Sequence, residues 1–276
     1  MRLASSGCLL AAFTMGAWAD NPAATITVDV GANRHAISPF IYGANWADQT
    51  TVSNLNLTAN RRGGNATSNY NWQVNATNHA ADWYFESLTD SDGSTPSAGP
   101  DAFITATKAA GGEPMITIPL MDWIAKLGAN RAGLSSFSIA KYGAQTSSDP
   151  WFTDAGNGVK ASDGTNITGN DPNDAYVPNS SSIQQAWVQH LVSKFGSSNG
   201  SGVKFYIMDN EHGVWPAEHR DLMIQGLTME TIRDKIIDYA GKVKAVDPSA
   251  QIVGPEEWGW PNYFLSSYDT SVAGNT

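Results

Sequence analysis

Cysteine is almost absent from this chain of 276 residues: Cys8 is the only one. It lies in an amino-terminal stretch that has the pattern of an export signal. Arg2 is the positive start, Leu9 to Phe13 lie in a short apolar stretch, and Ala17-Trp18-Ala19 is a small-x-small cleavage site before Asp20. Cleaved there, the chain loses residues 1–19 and its only cysteine. That excludes disulfides, thiolate metal sites and a cysteine nucleophile. Basic residues are also scarce: 16 Lys and Arg face 26 Asp and Glu, for a net charge of −10. A negative field repels phosphate backbones and anionic lipids, so no nucleic acid and no membrane surface is an expected partner. The expected substrate is neutral. Long apolar runs are missing too. A spanning helix needs about 20 apolar residues, and the leader's stretch is shorter and interrupted by Ser5-Ser6-Gly7. The expectation is a secreted protein, extracellular or periplasmic, from a bacterium.

Tryptophan, by contrast, is abundant: there are ten. Flat sugar faces stack well on indoles, although core packing has an equal claim on any one of them. Low charge with many Asn, Ser, Thr and Gly suits a secreted polysaccharide-degrading enzyme. Composition alone does not establish one.

Residues Ala24 to Val30 alternate polar and apolar, as in a half-exposed strand of a sheet outside the main core. Gly31 to His35 follows as a turn or linker, so 20–35 is set apart from 36–276. From there short apolar runs alternate with helical spacing. Strands are expected within Ile37–Trp46, Thr58–Asn65, Glu113–Leu120 and Val203–Asp209, and at Ile252–Pro255. Helices are expected at Asp101–Ala110, Ser135–Tyr142, Ser181–Phe195 and Met229–Val246. This alternation predicts βαβ units and a parallel sheet. Five strands precede Gly254, whereas a closed (β/α)8 barrel has eight. The expectation is therefore the amino-terminal part of a longer protein, with a complete but smaller open α/β domain as the alternative. Between Trp151 and Pro178 the chain is rich in Gly, Asn and Asp and has little periodicity, as functional or disordered loops do.

The fourth strand ends at Asn210-Glu211. A carboxyl at the carboxyl end of a buried strand is where a parallel barrel keeps its chemistry. An adjacent amide suits a sugar hydroxyl while the carboxyl moves a proton at a glycosidic oxygen. The alternative is a Glu that caps the next turn. Two other strand ends have the same character. Arg61-Arg62-Gly63-Gly64-Asn65 leads into Ser68-Asn69-Tyr70-Asn71-Trp72, and Gly254-Pro255-Glu256-Glu257 leads into Trp258-Gly259-Trp260. Both supply hydrogen-bonding groups and aromatic faces. Asp171-Pro172-Asn173-Asp174 groups hard oxygens as Ca²⁺ takes them, with an ordinary Asx turn as the alternative. His190, His212 and His219 lack zinc spacing.

Taken together, residues 61 to 72, Asp82-Trp83-Tyr84-Phe85-Glu86, Met208-Asp209-Asn210-Glu211, and Gly254-Pro255 with Trp258-Gly259-Trp260 resemble glycoside hydrolase family 44. The resemblance runs from about Ile26 to the end. It implies endoglucanase or xyloglucanase activity on a β-glucan, and a (β/α)8 TIM barrel, here truncated after about five βα units. It also implies an accessory β-sandwich to which Ala24–Val30 belongs. In the retaining clan that includes this family, the acid/base Glu follows an Asn at the end of strand four, which matches Asn210-Glu211. The nucleophile is a second Glu at the end of strand seven, beyond Thr276. The resemblance thus casts Glu211 as catalytic. It casts Asn210, Trp46, Arg61, Asn65, Tyr70, Trp72, Trp215, Trp258 and Trp260 as substrate-binding. No cofactor is required for the chemistry, and a structural calcium at Asp171 and Asp174 fits the family's habit of carrying structural metal. Two positions depart from the family pattern: His212 replaces a Pro, and Arg62 stands where a Trp is common. Glu256 and Glu257 follow strand five and are assigned binding or structural roles, and Glu113, at a strand's start, a structural one. The expected activity is that of a retaining endo-β-1,4-glucanase. The alternatives are a xylanase or mannanase of the same clan, or a non-catalytic carbohydrate-binding protein.

Overall fold

The computed structural model describes residues 24–91, 93–272 and 274. The expected signal peptide, 1–19, lies outside them. The chain divides into two units, Met1–Ile37 and Ser38–Thr276. Residues 24–37 of the first form no strand, and Ile26, Val28 and Val30 are all exposed. The expected accessory-sheet strand is therefore not formed among the described residues. Alternation alone does not make a strand, because its backbone groups need a neighbouring ladder and its apolar face needs a cover. The described residues supply it with no partner strand.

The second unit alternates strands with helices. In order these are β1 (Gly43–Asn45), α1 (Gln49–Asn54), β2 (Ala59–Arg62), α2 (Ala98–Ala109), β3 (Glu113–Ile118), α3 (Ser181–Phe195), β4 (Phe205–Met208), α4 (Met229–Val246) and β5 (Gln251–Val253). The five strands form one sheet in chain order, each parallel to the next. Arg61 lies opposite Asn45 and Met115, and Ile207 lies opposite Thr117 and Val253. This register brings all five carboxyl ends to one edge of the sheet.

Local sequence explains these elements. Phe205-Tyr206-Ile207-Met208 has no polar alternation because both faces of β4 are covered, and all four residues are buried. Gly43 is needed because a Cβ there would stand 2.9 Å from the Ala59 carbonyl oxygen. Helix α3 starts at Ser180, whose hydroxyl accepts from the Ile183 N–H, and it stops at Gly196 in the left-handed region. Helix α4 starts at Thr228, which accepts from the Thr231 N–H. The two helices pack on the sheet through Trp187, Val188 and Leu191 of α3 and Ile232, Tyr239 and Val243 of α4. These meet Ile116, Ile118, Tyr206 and Met208 in one core. Each such side chain, fully buried, contributes roughly 1.5–3 kcal/mol.

The helix expected at Ser135–Tyr142 is reduced to Ile139–Tyr142, capped by Ser138. Leu134 and Ser135 pair instead with Ser87 and Glu86 in a small antiparallel sheet. The Gly-, Asn- and Asp-rich stretch is pinned by short antiparallel bridges such as Gln145 to Lys160 and Val159 to Asn166. Among the described residues, no helix is long and apolar enough to cross a membrane.

Candidate active site

The chain turns sharply as it leaves β4. Asp209 and Glu211 both adopt left-handed backbone angles, with φ of 62° and 48°. For residues with a Cβ this costs roughly 1–2 kcal/mol each. The surroundings hold the turn in place. Asp209 is fully buried, and its Oδ2 accepts from the Leu120 N–H at 2.6 Å while Oδ1 accepts from the Asn210 N–H at 2.8 Å. Burial pushes the Asp209 pKa up, while the nearby His212 and Ser68 pull it down. The Glu211 N–H donates to the Glu256 carbonyl at 2.7 Å. The Trp215 indole donates to the Asn210 carbonyl at 2.8 Å.

This turn presents Asn210 and Glu211 at the carboxyl edge of the sheet. Asn210 Nδ2 donates to Glu211 Oε2 at 3.2 Å, and Asn210 Oδ1 accepts from Arg61 Nη2. Arg61, from the end of β2, also donates through Nε and Nη2 to Glu256 Oε2 at 2.9 and 2.6 Å. Its Nη1 reaches Asn45 Oδ1, at the end of β1, at 3.1 Å. One guanidinium thus ties together the ends of β1, β2 and β4 and the segment after β5. Glu211 itself is half-buried, with one oxygen fixed by an amide. A carboxyl so held can give a proton to, or take one from, an atom placed beyond the sheet edge.

Further acids lie close by. Asn65 Nδ2 is shared between Asp82 Oδ2 at 3.0 Å and Glu218 Oε2 at 3.2 Å. The Glu218 pKa is pushed up by burial and then by the charges of Asp82 and Glu211. Sequence reasoning missed Glu218 and the role of Asp82. Neither ends a strand, and Glu218 closes a four-residue turn that only the fold brings back to the site.

The predicted aromatic residues separate into two groups. Trp46 is half-exposed at the end of β1, its indole bound to the Gly63 carbonyl at 2.6 Å and its edge on Phe103. Trp258 and Trp260, after β5, are also exposed. Of the other three, Tyr70 and Trp215 are core residues with no face open to a sugar, whereas Trp72 is only partly buried. Tyr70 is fully buried, its hydroxyl donating to Asn75 Oδ1 at 2.7 Å. Trp72 packs on the core and donates to the Ile183 carbonyl in α3 at 3.1 Å. Trp215 is fully buried beneath the Asn210 turn. A buried indole has no free face for a sugar, so its contribution to the site is to position neighbours.

The two departures from the family pattern are both buried. His212 lies on Trp215 with ring centroids 4.8 Å apart, and its Nδ1 is 3.8 Å from Glu257 Oε1. Glu257 also accepts from the Gly213 N–H at 3.1 Å. Arg62 pairs with Asp90 at 2.5 Å and lies 4.4 Å from the Tyr70 ring and 5.0 Å from that of Trp46. Glu113 sits at the opposite end of the sheet, bound by Lys108 at 3.2 Å.

Asp171 and Asp174, the residues expected to hold calcium, both have protein partners. Asp171 Oδ1 accepts from the backbone and side-chain N–H groups of Asn173, an Asx turn. Asp174 accepts from Lys141 Nζ at 2.6 and 2.7 Å and from the Tyr142 hydroxyl at 2.6 Å. The Lys141 ammonium thus sits on the Asp174 carboxylate. Among the described residues, no group of three or more His, Cys, Asp and Glu is arranged to hold a metal ion.

The sequence model of glycoside hydrolase family 44 matches residues 76–276. The crystal structure of CelM2, described as a bifunctional glucanase-xylanase protein from a metagenome library, is similar with a TM-score of 0.86 and 54% identity. The match covers 88% of this chain and 47% of that one. A family 44 xyloglucanase from Paenibacillus polymyxa, solved with xyloglucan, gives a TM-score of 0.61 and 25% identity over 87% of this chain and 45% of its own. Endoglucanase A of Paenibacillus lautus is 28% identical over 272 residues, which is 91% of this chain and 35% of that protein. The chain thus spans less than half the length of each of these relatives.

Proposed function

The chain belongs to glycoside hydrolase family 44, and from that premise we propose that it carries the acid/base part of a retaining endo-β-1,4-glucanase, with Glu211 as the proton-transfer group. The observation that carries this reading is the placement of Glu211. It stands at the carboxyl end of the fourth of five consecutive parallel strands, held by Asn210, which Arg61 anchors in turn. In this reading the open sheet is the first five strands of a (β/α)8 barrel, whose chemistry lies at that edge. The nucleophilic Glu comes from sequence beyond Thr276, and the longer chains of the relatives are consistent with that.

Glu211 protonates the glycosidic oxygen as the bond to the anomeric carbon breaks and the nucleophile attacks the other face of the sugar. The glycosyl-enzyme is then opened by a water whose proton Glu211 accepts, so configuration is retained. Arg61 keeps Asn210 oriented, and Trp46, Trp258 and Trp260 offer exposed faces to sugar rings. The substrate is a neutral β-1,4-linked chain, a cellulose-type glucan or xyloglucan. Xylan is the second substrate to test, because the relative at 54% identity is described as a glucanase-xylanase. No cofactor takes part, and the protein acts after secretion.

The test is Glu211→Gln in the full-length protein. Activity on carboxymethyl-cellulose or xyloglucan should fall by about 10²–10⁴-fold, the usual contribution of general acid–base catalysis. Loss should be smaller on aryl glycosides with acidic leaving groups, and azide should restore part of the turnover. Wild-type turnover by the variant removes Glu211 from the mechanism. An α-anomer as first product, seen by proton NMR, rules out retention.

A further inference from the structure

Beyond Asp82 the chain presents two indoles that the chemistry at Glu211 does not use. Trp83 is 38% exposed and Trp151 is 82% exposed. Their rings are stacked, with centroids 5.9 Å apart and planes at 26°. They come from segments far apart in sequence, the turn after Ala80–Asp82 and the Gly- and Asn-rich loop. A single side chain fixes both. Asp149 Oδ2 accepts from the Trp83 indole at 2.8 Å, and Asp149 Oδ1 accepts from the Trp151 backbone N–H at 2.7 Å.

Three features of this corner are costly to the fold. Large exposed apolar surface is one. The second is the backbone of Tyr84 and Phe85, both left-handed with φ of 47° and 52°; strain of this kind collects at functional sites. The third is a pair of neighbouring carboxyls, since Glu86, 1% exposed, lies against Asp149. Together these features fix Trp83 in place as the base on which Trp151, 82% exposed, is stacked. A cavity of about 430 Å³ adjoins the stack, lined by Trp83, Tyr84, Ser147, Asn157, Val159 and Arg220. The corner is also continuous with the active site, because Asp82 and Glu218 share Asn65 and Glu218 feels the Glu211 charge.

We propose that the Trp83–Trp151 stack is an outlying sugar subsite, which binds a unit of the same β-linked polysaccharide that reacts at Glu211. This rests on the glycosidase reading above. Indole faces recognise the C–H faces of equatorially substituted pyranose rings, and the negative net charge of the chain favours a neutral ligand. A polymer is the fitting occupant because Asn65 and Asp82 intervene between the stack and Glu211, a gap that a chain bridges and a free sugar does not.

The experiment compares the full-length wild type with Trp151→Ala on long and short substrates. The Trp151 side chain is mostly in solvent, so its removal leaves the fold intact. KM for xyloglucan or carboxymethyl-cellulose should rise about tenfold, as for the loss of one stacking contact worth about 1.4 kcal/mol. An aryl cellobioside has only two sugar rings and leaves an outlying subsite empty, so its turnover should be unchanged. Asp149→Asn, which loses one of the two acceptors, should raise KM for the polymer in the same direction. Equal KM values for the polymer in wild type and Trp151→Ala overturn the proposal. An equal fall in kcat on both substrates also overturns it, showing a structural role. A shift in molecular mass by sedimentation without a change in KM identifies the surface as a contact between copies and overturns it too. Failure of the glycosidase reading has a different signature, namely a wild type that cleaves neither substrate.

Discussion

Replacing Glu86 by Gln should make the protein more stable, and increasingly so as the pH rises. The Glu86 carboxyl is buried with Oε1 unpartnered, and its pKa is pushed up to about 8, first by burial and then by Asp149. In the unfolded chain the same group titrates near its ordinary value of 4.5. Between these two values the folded state keeps a proton that the unfolded state releases. Stability from this group is therefore complete below pH 4.5, declines as the pH rises through the window, and is flat above about 8. At pH 7 the difference amounts to about 3 kcal/mol at 1.36 kcal/mol per pKa unit. Gln has nearly the same shape, carries no charge and can donate to Asp149 at every pH. Wild type and Glu86→Gln should then have similar stability near pH 4.5, and the variant should gain up to about 3 kcal/mol by pH 7. Urea denaturation of both full-length proteins at pH 4.5, 6, 7 and 8.5 measures this directly, and the wild-type-minus-variant difference cancels the titrating groups that do not interact with Glu86. Parallel stability curves, or a variant less stable at pH 8.5 than the wild type, would refute the reasoning.

Two further substitutions test the site and its support. Arg61→Ala leaves Asn210 Oδ1 and Glu256 without their cation; charge-assisted bonds of this kind are worth about 1.5–3 kcal/mol, so kcat/KM should fall about 10- to 150-fold, and Arg61→Lys, which cannot span Asn45, Asn210 and Glu256 together, should not restore it. Wild-type kcat/KM in Arg61→Ala would show that the anchor is dispensable. Arg62→Met breaks the buried pair with Asp90 and should cost about 3–5 kcal/mol in urea denaturation, with part of the loss recovered by adding Asp90→Asn; no recovery would locate the cost in the packing of Arg62 on Tyr70 and Trp46 instead.

The parallel sheet was legible because the βα periodicity is strong. The run Val203–Asp209 is apolar throughout, and α4 keeps its apolar residues on one stripe until Asp247 and Pro248. Counting strands was enough to put Asn210-Glu211 at the end of the fourth, where the structure has it. Aromatic residues were harder to place. Tyr70 and Trp215 lie in segments with the composition of ligand-binding ones, yet both are fully buried, and the direction of a side chain within an irregular loop has no periodicity to reveal it. The alternation at Ala24–Val30 has the pattern of a strand, but the described residues give it no ladder partner. The pairing of Leu134–Ser135 with Ser87 and Glu86 depends on contacts nearly fifty residues apart, which local propensity for a helix at Ser135–Tyr142 does not register. Asp149 and Glu218 carry no local motif, and their roles arise only when distant loops meet.

The order of the strands has a consequence for synthesis. Each strand after the first pairs with the one made just before it, so the last four leave the ribosome with a template already in place. The sheet can grow by addition at one edge, with no strand waiting for a later one to be inserted beside it, and the loops that must close are those between successive strands. Arg61 breaks this pattern. Its partner Glu256 arrives 195 positions later, after all five strands have been made. The guanidinium that orients Asn210 therefore reaches its final arrangement last. A nascent chain halted before Glu256 would have the sheet edge without its clasp, so the capacity to bind at that edge is acquired late, after the scaffold that supports it.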